Sequence, residues 1–461
     1  MSKENTVLKG SMVGIDIGND TVKIAEVKAD GKALQITGLA SQALPAGAVT
    51  GEAIQNVKEI GQIIKEMVKA SGISSRKCVV SYTGSNRVMS KIFDVPRSDK
   101  EKAVTASVRY EVERVFPFGA GDTEMSYAEV PADDIEPTAM RTYVTAAHRA
   151  LVQGLLDVVL AAGLTPVAIE TSGLAAGRSL IPMSADDSKI TAILNIGAQK
   201  TEMSIFAGTS VISPAYSFEC CGSTLTDAVA EAMEVDFAQA EEAKRNLAYI
   251  DINQIEEFLD KEEEDVSFEE GEFDTPFDDP DYNPLISGEA DDDIGEDFSF
   301  DQGFDTDFTE GGEEEYYADP NTSEPEETPA EEVQPEAGFE GQDGEAGEER
   351  EEFAFDGSAS DSEKVLMAIL PRLLDLSREV RVQLEDYYST TNKVVDKLVI
   401  TGGTAGIHGL ELMFGRQVGL ECVKADISAN YTVASNAGGN INGLNTVYPV
   451  AIGLATRDLV E

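Results

Sequence analysis

The chain has few of the residues that bind transition metals or form disulfide bonds. Its 461 residues include four cysteines and two histidines. Cys78, Cys220, Cys221 and Cys422 show no metal-ligand spacing, and two histidines are too few to favour a zinc site. We therefore predict no zinc site, and we interpret the adjacent Cys220 and Cys221 as small strand residues rather than a redox centre.

Long hydrophobic segments are also lacking. No uninterrupted apolar run reaches the roughly 20 residues that a membrane-spanning helix needs. Residues 1–6 do not resemble a secretory signal. We therefore expect a cytoplasmic protein with no direct membrane insertion.

Basic residues are almost absent from residues 251–360. This segment holds 2 of the 35 Lys and Arg residues but 43 of the 86 Asp and Glu residues, so it carries a charge of −41 out of −51. It has little Leu, Ile or Val, and therefore cannot bury enough apolar surface to offset the entropy of ordering. We interpret it as a disordered insertion. Because acidic segments repel phosphates and no basic stripe appears elsewhere, we predict no nucleic-acid binding.

The same segment contains 14 of the 31 Phe and Tyr residues. Aromatic residues in a solvated acidic chain are typical of segments that bind a basic and apolar partner surface. Alternatively, the segment is a solvated chain that only keeps the protein soluble. The aromatic residues favour a partner, because they add nothing to solubility.

Three glycine-centred stretches stand in a suggestive order, at residues 13–23 (VGIDIGNDTVK), 193–201 (ILNIGAQKT) and 399–404 (VITGGT). The first two predict a strand that turns at a glycine and resumes as a second strand. Glycine permits positive φ and lets backbone N–H groups approach phosphate oxygens. The third ends a buried strand with Gly402 and Gly403, against which a nucleoside can lie flat. Each motif is weak alone, but together they predict one nucleotide pocket.

The pattern of elements repeats along the chain. Strands are predicted near 11–18, 21–29 and 33–39, and helices at 53–71 and 98–115. The hairpin pattern of 11–29 begins again at 190–206 and is followed by a strand near 210–218 and the helix 222–233. Two β-β-β-α-β-α halves, each opening with a phosphate hairpin, predict an α/β protein of the actin-like ATPase fold, with duplicated RNase H-like halves.

The detail resembles the PilM family of type IV pilus assembly proteins, which are actin-like and related to FtsA. The similarity covers nearly all of the chain outside the acidic insertion. The stretches that carry it are Asp16 to Gly18 with Val22 and Lys23, residues 109–118 (RYEVERVFPF), 162–166 (AGLTP), 240–244 (AEEAK), 401–404 (TGGT) and 451–455 (AIGLA). The acidic insertion has no counterpart in the family pattern.

The resemblance implies a domain organisation with a small inserted α+β subdomain. The expected segments are a first actin-like half at 10–83 and 148–185, the small subdomain at 84–147, a second half at 186–250 and 362–461, and the disordered acidic and aromatic insertion at 251–361.

The resemblance also implies partners. In the family, a groove associated with the small subdomain receives the N-terminal cytoplasmic peptide of the membrane protein PilN. Phe116, Pro117 and Phe118 would help to shape that site; alternatively, Pro117 only stops a helix and the two phenylalanines are core residues. We further expect a position peripheral to the inner membrane through partners, other pilus assembly components, and a homo-oligomer or ring. Independently of the resemblance, we expect the acidic insertion to tether a basic motor ATPase.

The implied ligands are ATP and Mg²⁺, with Asp16 holding the metal through water. Glu241 and Lys244 would contact the ribose and base. Alternatively, the two side chains only form an ion pair on the protein surface. The candidate nucleotide-binding residues are Asp16, Gly18, Asn19, Lys23, Asn195, Gly197, Thr201, Glu241, Lys244, Gly402, Gly403 and Thr404.

Two residues depart from the family pattern. Asn19 stands where the family offers a serine, and Asn195 stands where the second turn usually has aspartate. Because an amide lacks the charge that orients Mg²⁺-bound water, hydrolysis should suffer more than binding. We therefore expect a nucleotide-binding scaffold that is at most a weak ATPase.

Two alternatives remain open. An active ATPase or filament former resembling FtsA is disfavoured, because residues 455–461 lack a basic amphipathic helix for membrane anchoring. A small-molecule kinase on the same fold lacks an obvious second-substrate aspartate.

Overall fold

The structure is a computed structural model of the chain. The residues it describes are 9–50, 53–82, 87–117, 119–132, 134–251, 359–435, 437–438 and 443–460. The predicted insertion therefore lies outside the described residues except for its two ends, and Phe118 lies outside them as well.

The elements alternate between strands and helices, as the sequence predicts. The strands are β1 (Lys9–Ile17), β2 (Thr21–Asp30), β3 (Leu34–Ala43), β4 (Lys77–Tyr82), β5 (Val88–Pro96), β6 (Thr123–Glu129), β7 (Ala139–His148), β8 (Thr165–Ile169), β9 (Ile190–Ile196), β10 (Thr201–Ala207), β11 (Ser210–Val211), β12 (Tyr216–Phe218), β13 (Lys397–Thr401), β14 (Glu421–Lys424) and β15 (Tyr431–Val433). The helices are α1 (Val57–Ala70), α2 (Glu101–Val115), α3 (Arg149–Ala161), α4 (Ser172–Leu180), α5 (Gly222–Met233), α6 (Phe237–Leu247), α7 (Ala359–Thr391), α8 (Leu410–Val418), α9 (Leu444–Val447) and α10 (Pro449–Thr456).

The first large sheet has the order β15-β3-β2-β1-β4-β8. Strands β1, β2 and β3 are antiparallel, whereas β4 and β8 run parallel to β1. In this register Asp16 on β1 lies opposite Lys23 on β2 and Ser81 on β4. The edge strand β15 comes from the far end of the chain and pairs parallel with β3.

The second large sheet repeats this arrangement, with the order β11-β10-β9-β13-β14 and β12 also paired to β10. Here Asn195 on β9 lies opposite Glu202 on β10 and Thr401 on β13. The prediction of a single strand near 210–218 is wrong for the central residues of that range. Residues 212–215 interrupt it, so that the chain forms two short strands that pair with different parts of β10.

Helices cover both faces of each large sheet. Helices α1 and α3 pack on the outer face of the first sheet, and α5 to α8 supply the core on the outer face of the second. Helices α4 and α10 fill the layer between the sheets, where α10 packs on β1 and α4 packs on β10. Two glycines allow the close contacts there, because a Cβ on Gly14 or Gly453 would lie 1.8 Å from the carbonyl oxygen of Ala451 or Ala175.

A third, smaller sheet has the order β5-β7-β6 and packs with α2 around a core of its own. Phe116 follows α2 directly and is 5% exposed in that core, together with Val104, Val108 and Val112. The prediction that Phe116 shapes a partner site is therefore wrong, since its ring is used to pack the helix on the sheet. Pro117 is exposed just beyond the end of α2.

Of the helices that the structure describes, none is both long enough and apolar enough to cross a membrane. The four cysteines are free thiols.

Candidate functional site

A cleft of about 480 Å³ opens where the two large sheets face each other. Its walls come from the β1–β2 turn, the β9–β10 turn, the residues that follow β13, and the helices α5 and α6. The volume lies in the range of about 300–1,000 Å³ that is usual for small-molecule sites. The two hairpins predicted from separate parts of the sequence therefore meet at one site.

The cleft gathers most of the candidate nucleotide-binding residues. Those that line it are Asp16, Gly18, Asn19, Lys23, Asn195, Gly197, Glu241, Lys244, Gly402, Gly403 and Thr404. Thr201 does not line it. The Thr201 hydroxyl is fully buried and donates a hydrogen bond of 2.6 Å to the carbonyl oxygen of Cys220, where it holds the start of β10.

The two hairpin turns have the same backbone geometry. The Gly18 N–H donates to the Thr21 carbonyl at 2.9 Å, and the Gly197 N–H donates to the Lys200 carbonyl at 3.0 Å. Neither glycine has positive φ, so the conformational reason predicted for them is wrong. Close approach is the reason instead, since a Cβ would lie 3.0 Å from the first carbonyl oxygen and 2.8 Å from the second.

The turn after β13 does require positive φ. Gly402 has φ of +97°, and a Cβ there would lie 2.3 Å from the Ile196 carbonyl oxygen and 2.7 Å from Oδ1 of Asn195. A Cβ on Gly403 would meet no atom within 4 Å. Gly402 is therefore needed for the chain path, whereas Gly403 leaves its side of the cleft open to a ligand.

Asp16 is 3% exposed and ends β1 in the wall of the cleft. The Lys23 ammonium lies 3.5 Å from Oδ2 of Asp16 and balances its charge. The hydroxyl of Ser81, its register partner on β4, is buried without a hydrogen-bond partner. No group of three or more His, Cys, Asp or Glu side chains in the described part of the chain forms a metal site. These residues fit a Mg²⁺ ion held through water and ligand oxygens, and not one enclosed by the protein.

The Asn19 side chain makes a hydrogen bond to β4. Its side-chain amide donates to the Tyr82 hydroxyl at 2.9 Å, and that hydroxyl donates to the carbonyl oxygen of Thr50. Burial raises the pKa of Tyr82 to about 12, so the hydroxyl stays protonated as the donor. Asn19 therefore ties the first turn to β4 and to the loop at Thr50.

Lys244 has a structural role. It is 6% exposed, and its ammonium contacts the Gly222 carbonyl at 2.7 Å, the Thr226 hydroxyl at 2.6 Å and Glu241 at 2.6 Å. An ammonium has three donors, so this geometry commits all of them. The side chain therefore joins α6 to the start of α5, and its contact with the ribose or base stays a prediction.

Glu241 shares this network and is also contacted by Arg245 at 2.7 Å. Burial opposes its charged form, but the hydrogen bonds from Lys244 and Thr226 hold the pKa of Glu241 below its ordinary value. The carboxylate is therefore kept charged at the edge of the cleft.

Sequence reasoning missed several residues that line the cleft, namely Asp20, Lys200, Phe237, Arg245 and Tyr448. Asp20 and Lys200 lie in the two turns, next to residues that the motifs identified. Burial and the nearby Glu241 raise the pKa of Asp20. Arg245 directly follows the AEEAK stretch, so its position next to that stretch was the available signal. Phe237 and Tyr448 carry no local signal, because only the fold brings them to the cleft.

A second cavity of about 690 Å³ lies between the small sheet, α3, the start of α4, and β10. It is lined by apolar and aromatic side chains such as Tyr143, Leu151 and Val152, together with polar residues that include Glu170 and Glu202. The Thr171 hydroxyl borders it and is buried without a hydrogen-bond partner. A mixed lining of this kind suits a short peptide or other amphipathic ligand.

Comparison with known proteins gives the family. The sequence profile described as type IV pilus assembly protein PilM matches residues 14–259 and 345–459, which is most of the chain. The chain belongs to the PilM family.

Solved structures agree on the fold. A structure named "PilM-PilN type IV pilus biogenesis complex" is 19% identical, with a TM-score of 0.65, and the match covers 97% of this chain and 98% of that chain. The duplicated sheets and this match confirm the actin-like ATPase fold predicted from the repeated hairpins.

Two looser matches are the ethanolamine utilization protein EutJ from Carboxydothermus hydrogenoformans and MreB5 of Spiroplasma citri bound to ADP. EutJ is 12% identical with a TM-score of 0.43, covering 97% of this chain and 92% of its own. MreB5 is 10% identical with a TM-score of 0.40, covering 96% of this chain and 94% of its own. At these scores neither match carries an argument about the site.

Proposed function

We propose that this PilM-family chain is a nucleotide-binding scaffold of type IV pilus assembly that recruits the cytoplasmic tail of a PilN-like membrane protein. The observation that carries the proposal is the cleft, in which two equivalent glycine turns and the open surface of Gly403 converge. A cytoplasmic position, peripheral to the inner membrane, follows from recruitment by such a partner. Assembly as a homo-oligomer or ring belongs to the same proposal.

The proposed ligand of the cleft is ATP with Mg²⁺. The backbone of the two turns would face the phosphates, and Gly403 with Thr404 would border the nucleoside. Asp16 would hold the Mg²⁺ through water. When no Mg²⁺ is bound, Lys23 would compensate the charge of Asp16. Bound Mg²⁺ neutralises part of the phosphate charge. Glu241 remains the candidate for a ribose contact, whereas Lys244 is used within the protein.

Slow or absent hydrolysis is proposed from Asn195. It lines the cleft at the position equivalent to Asp16, but it carries no charge that would orient an attacking water. In-line phosphoryl transfer depends mainly on positioning and charge, so the loss of one carboxylate costs orders of magnitude in rate.

The proposed site of the PilN-like peptide is the second cavity. Three observations support it: the mixed lining, the unpartnered Thr171 hydroxyl, and the resemblance to a solved complex whose name includes PilN. Phe116 cannot contribute its ring, because that ring is buried in the core of the small sheet.

The nucleotide half of the proposal is tested by titrating the protein with Mg²⁺-ATP in a calorimeter while phosphate release is measured. We expect binding with little turnover, and turnover that rises at least about tenfold in Asn195→Asp. Because the introduced carboxylate would lie opposite Glu202, Asn195→Asp combined with Glu202→Gln is the matched control for repulsion between the two carboxylates. Absence of binding contradicts the proposal, and brisk turnover by the unmodified chain supports an active ATPase instead.

The partner half is tested with a fluorescent peptide that copies the N-terminal cytoplasmic residues of the PilN-like protein from the same organism. Val152→Asn puts an amide into the second cavity and should weaken binding at least about tenfold, as expected when a polar group is buried without a partner. Leu160→Asn is the matched control, because Leu160 lies on the same helix but is 58% exposed and does not line the cavity. Equal loss in both variants, or in neither, contradicts this site.

A further inference from the structure

The cleft and the second cavity share a wall. Lys200, in the turn between β9 and β10, lines both spaces. Its ammonium lies 3.4 Å from Oε1 of Glu202, and both side chains are largely buried, at 14% and 18% exposure. Glu202 lines the second cavity but not the cleft. One cation is therefore placed between the proposed phosphate site and a carboxylate of the other cavity.

The Glu202 carboxylate is held in place by a second contact. Oε2 of Glu202 accepts a hydrogen bond of 2.6 Å from the hydroxyl of Ser172, the first residue of α4. The Glu202 carboxylate therefore lies at the start of a nine-residue helix, where a negative charge is favourable. If Lys200 moves, Glu202 keeps this support and stays in place.

The other side of the wall is also fixed. Asn19 in the first turn lines the cleft, and Tyr82, to which it donates a hydrogen bond, lines the second cavity. The Tyr82 hydroxyl is bonded in turn to the Thr50 carbonyl. Lys200 is therefore the charged side chain that lines both spaces and can turn from one to the other.

We propose that Lys200 couples the two sites by exchanging Glu202 for nucleotide phosphate. When phosphate enters the cleft, the Lys200 ammonium turns toward it, because a phosphate group carries more charge than one carboxylate. Glu202 then presents an uncompensated negative charge to the second cavity. The partner segment recognised there carries a basic group, an N-terminal amine, Lys or Arg, that contacts Glu202. Nucleotide therefore strengthens partner binding, and by linkage the partner strengthens nucleotide binding.

This proposal rests on the proposed function, so its test needs a measurement that is separate from nucleotide binding. The chain contains no tryptophan, so one introduced residue gives a unique emission signal. Tyr127→Trp and Val152→Trp would place reporters on two sides of the second cavity. The probes are caesium and iodide ions, which quench tryptophan but carry opposite charges. The ratio of caesium to iodide quenching therefore measures the charge beside the reporter.

Mg²⁺-ATP should raise this ratio about tenfold, because one uncovered unit charge at about 6 Å in water raises local caesium and lowers local iodide by about threefold each. Lys200→Met should have a high ratio without nucleotide and show no further rise. Glu202→Gln should have a lower ratio than the unmodified chain in both states, because the carboxylate is gone, whereas the missing rise in Lys200→Met controls for the charge of the nucleotide itself.

The two proposals fail in different ways. If calorimetry shows Mg²⁺-ATP binding and the ratio is unchanged in both reporters, the coupling through Lys200 is overturned while the nucleotide site stands. A rise that persists in Lys200→Met overturns it equally. If calorimetry shows no binding, the proposed function fails first.

Discussion

Asp16 and Asn195 occupy equivalent positions in the two hairpins, but the residues opposite them differ. Asp16 faces Lys23 across the strands, whereas Asn195 faces Glu202. Opposite charges across a strand pair stabilise and like charges destabilise. The amide at Asn195 thus avoids repulsion next to Glu202, which gives a structural reason for this departure from the family pattern.

A second buried carboxylate far from the cleft carries a pH dependence. Glu26 on β2 is 1% exposed and accepts hydrogen bonds from the Thr37 hydroxyl at 2.7 Å and from the backbone N–H groups of Ser74 and Ser75 at 3.1 and 2.8 Å. Burial opposes the charged form, but these bonds prevail and hold the pKa of Glu26 below its ordinary value of 4.5. The ionised carboxylate joins β2 and β3 to the start of β4.

We predict that Glu26→Gln lowers the free energy of unfolding by roughly 1–3 kcal/mol at neutral pH, because several donors lose a charged acceptor. A lowered native pKa contributes stability above about pH 4.5, and this contribution is lost as the pH falls through the native value. Urea unfolding should therefore separate the two proteins at pH 7 and bring them together at low pH. Glu242→Gln, at an exposed position of α6, is the control. A difference that grows on acidification contradicts the prediction.

At the scale of elements, the crossing of α4 and α10 joins the two halves. Each helix follows the strands of one half but packs between both large sheets. Arg178 on α4 strengthens the crossing: its guanidinium donates to both oxygens of Glu170 at 2.6 Å and to the carbonyl of Gly453 on α10 at 3.0 Å. Hydrogen bonds and close packing therefore hold the same contact.

Gly453→Ala should disrupt this crossing. The added Cβ would lie 1.8 Å from a backbone carbonyl oxygen, which cannot rotate away as a side chain can. We expect a loss of about 3 kcal/mol or more in the free energy of unfolding. The matched variant is Gly154→Ala on α3, where the nearest atom would be 3.7 Å away. Better helix propensity should make that protein up to about 1 kcal/mol more stable. Similar thermal midpoints for the two variants would show that α10 adjusts freely.

The two glycine hairpins could be predicted from the sequence, whereas the short strands that pair with them could not. A strand, a glycine turn and a second strand leave a local pattern, which located β1–β2 and β9–β10 within a few residues. The strand β15 has three residues and pairs with β3 from the other end of the chain, so no local pattern predicts its partner. The division of 210–218 into β11 and β12 likewise depends on pairing with β10.

For the whole molecule, charge is concentrated in one segment. Outside residues 251–360 the chain has a net charge of −10, which is ordinary for a protein of this size. The described chain leaves the folded body at Asp251, where the Ile250 N–H bonds to the His408 carbonyl at 3.0 Å, and returns in α7. The acidic segment is therefore attached to the second half.

Replacing residues 252–358 with a short Gly-Ser linker should leave Mg²⁺-ATP and PilN-type peptide binding intact, because the described residues that line the two cavities all lie outside that range. It should weaken binding to a basic motor ATPase, which we expect to be strong at low salt and screened at high salt. The measurement is the binding of each protein to surface-attached motor ATPase at low and at high salt. A variant that keeps the acids but changes the segment's Phe and Tyr to Ser separates charge from aromatic contacts. Full binding at low salt after the replacement would refute the prediction.

The sequence by itself determined the class of the fold, the repeated glycine hairpins and the confinement of charge to one segment, because each is expressed in neighbouring residues. Only the tertiary structure decided what the individual side chains do. Lys244 turned inward to Gly222, Phe116 entered the core of the small sheet, and Lys200 came to stand between two cavities. These outcomes depend on partners distant in sequence, and burial and hydrogen bonding with such partners leave no local pattern to read.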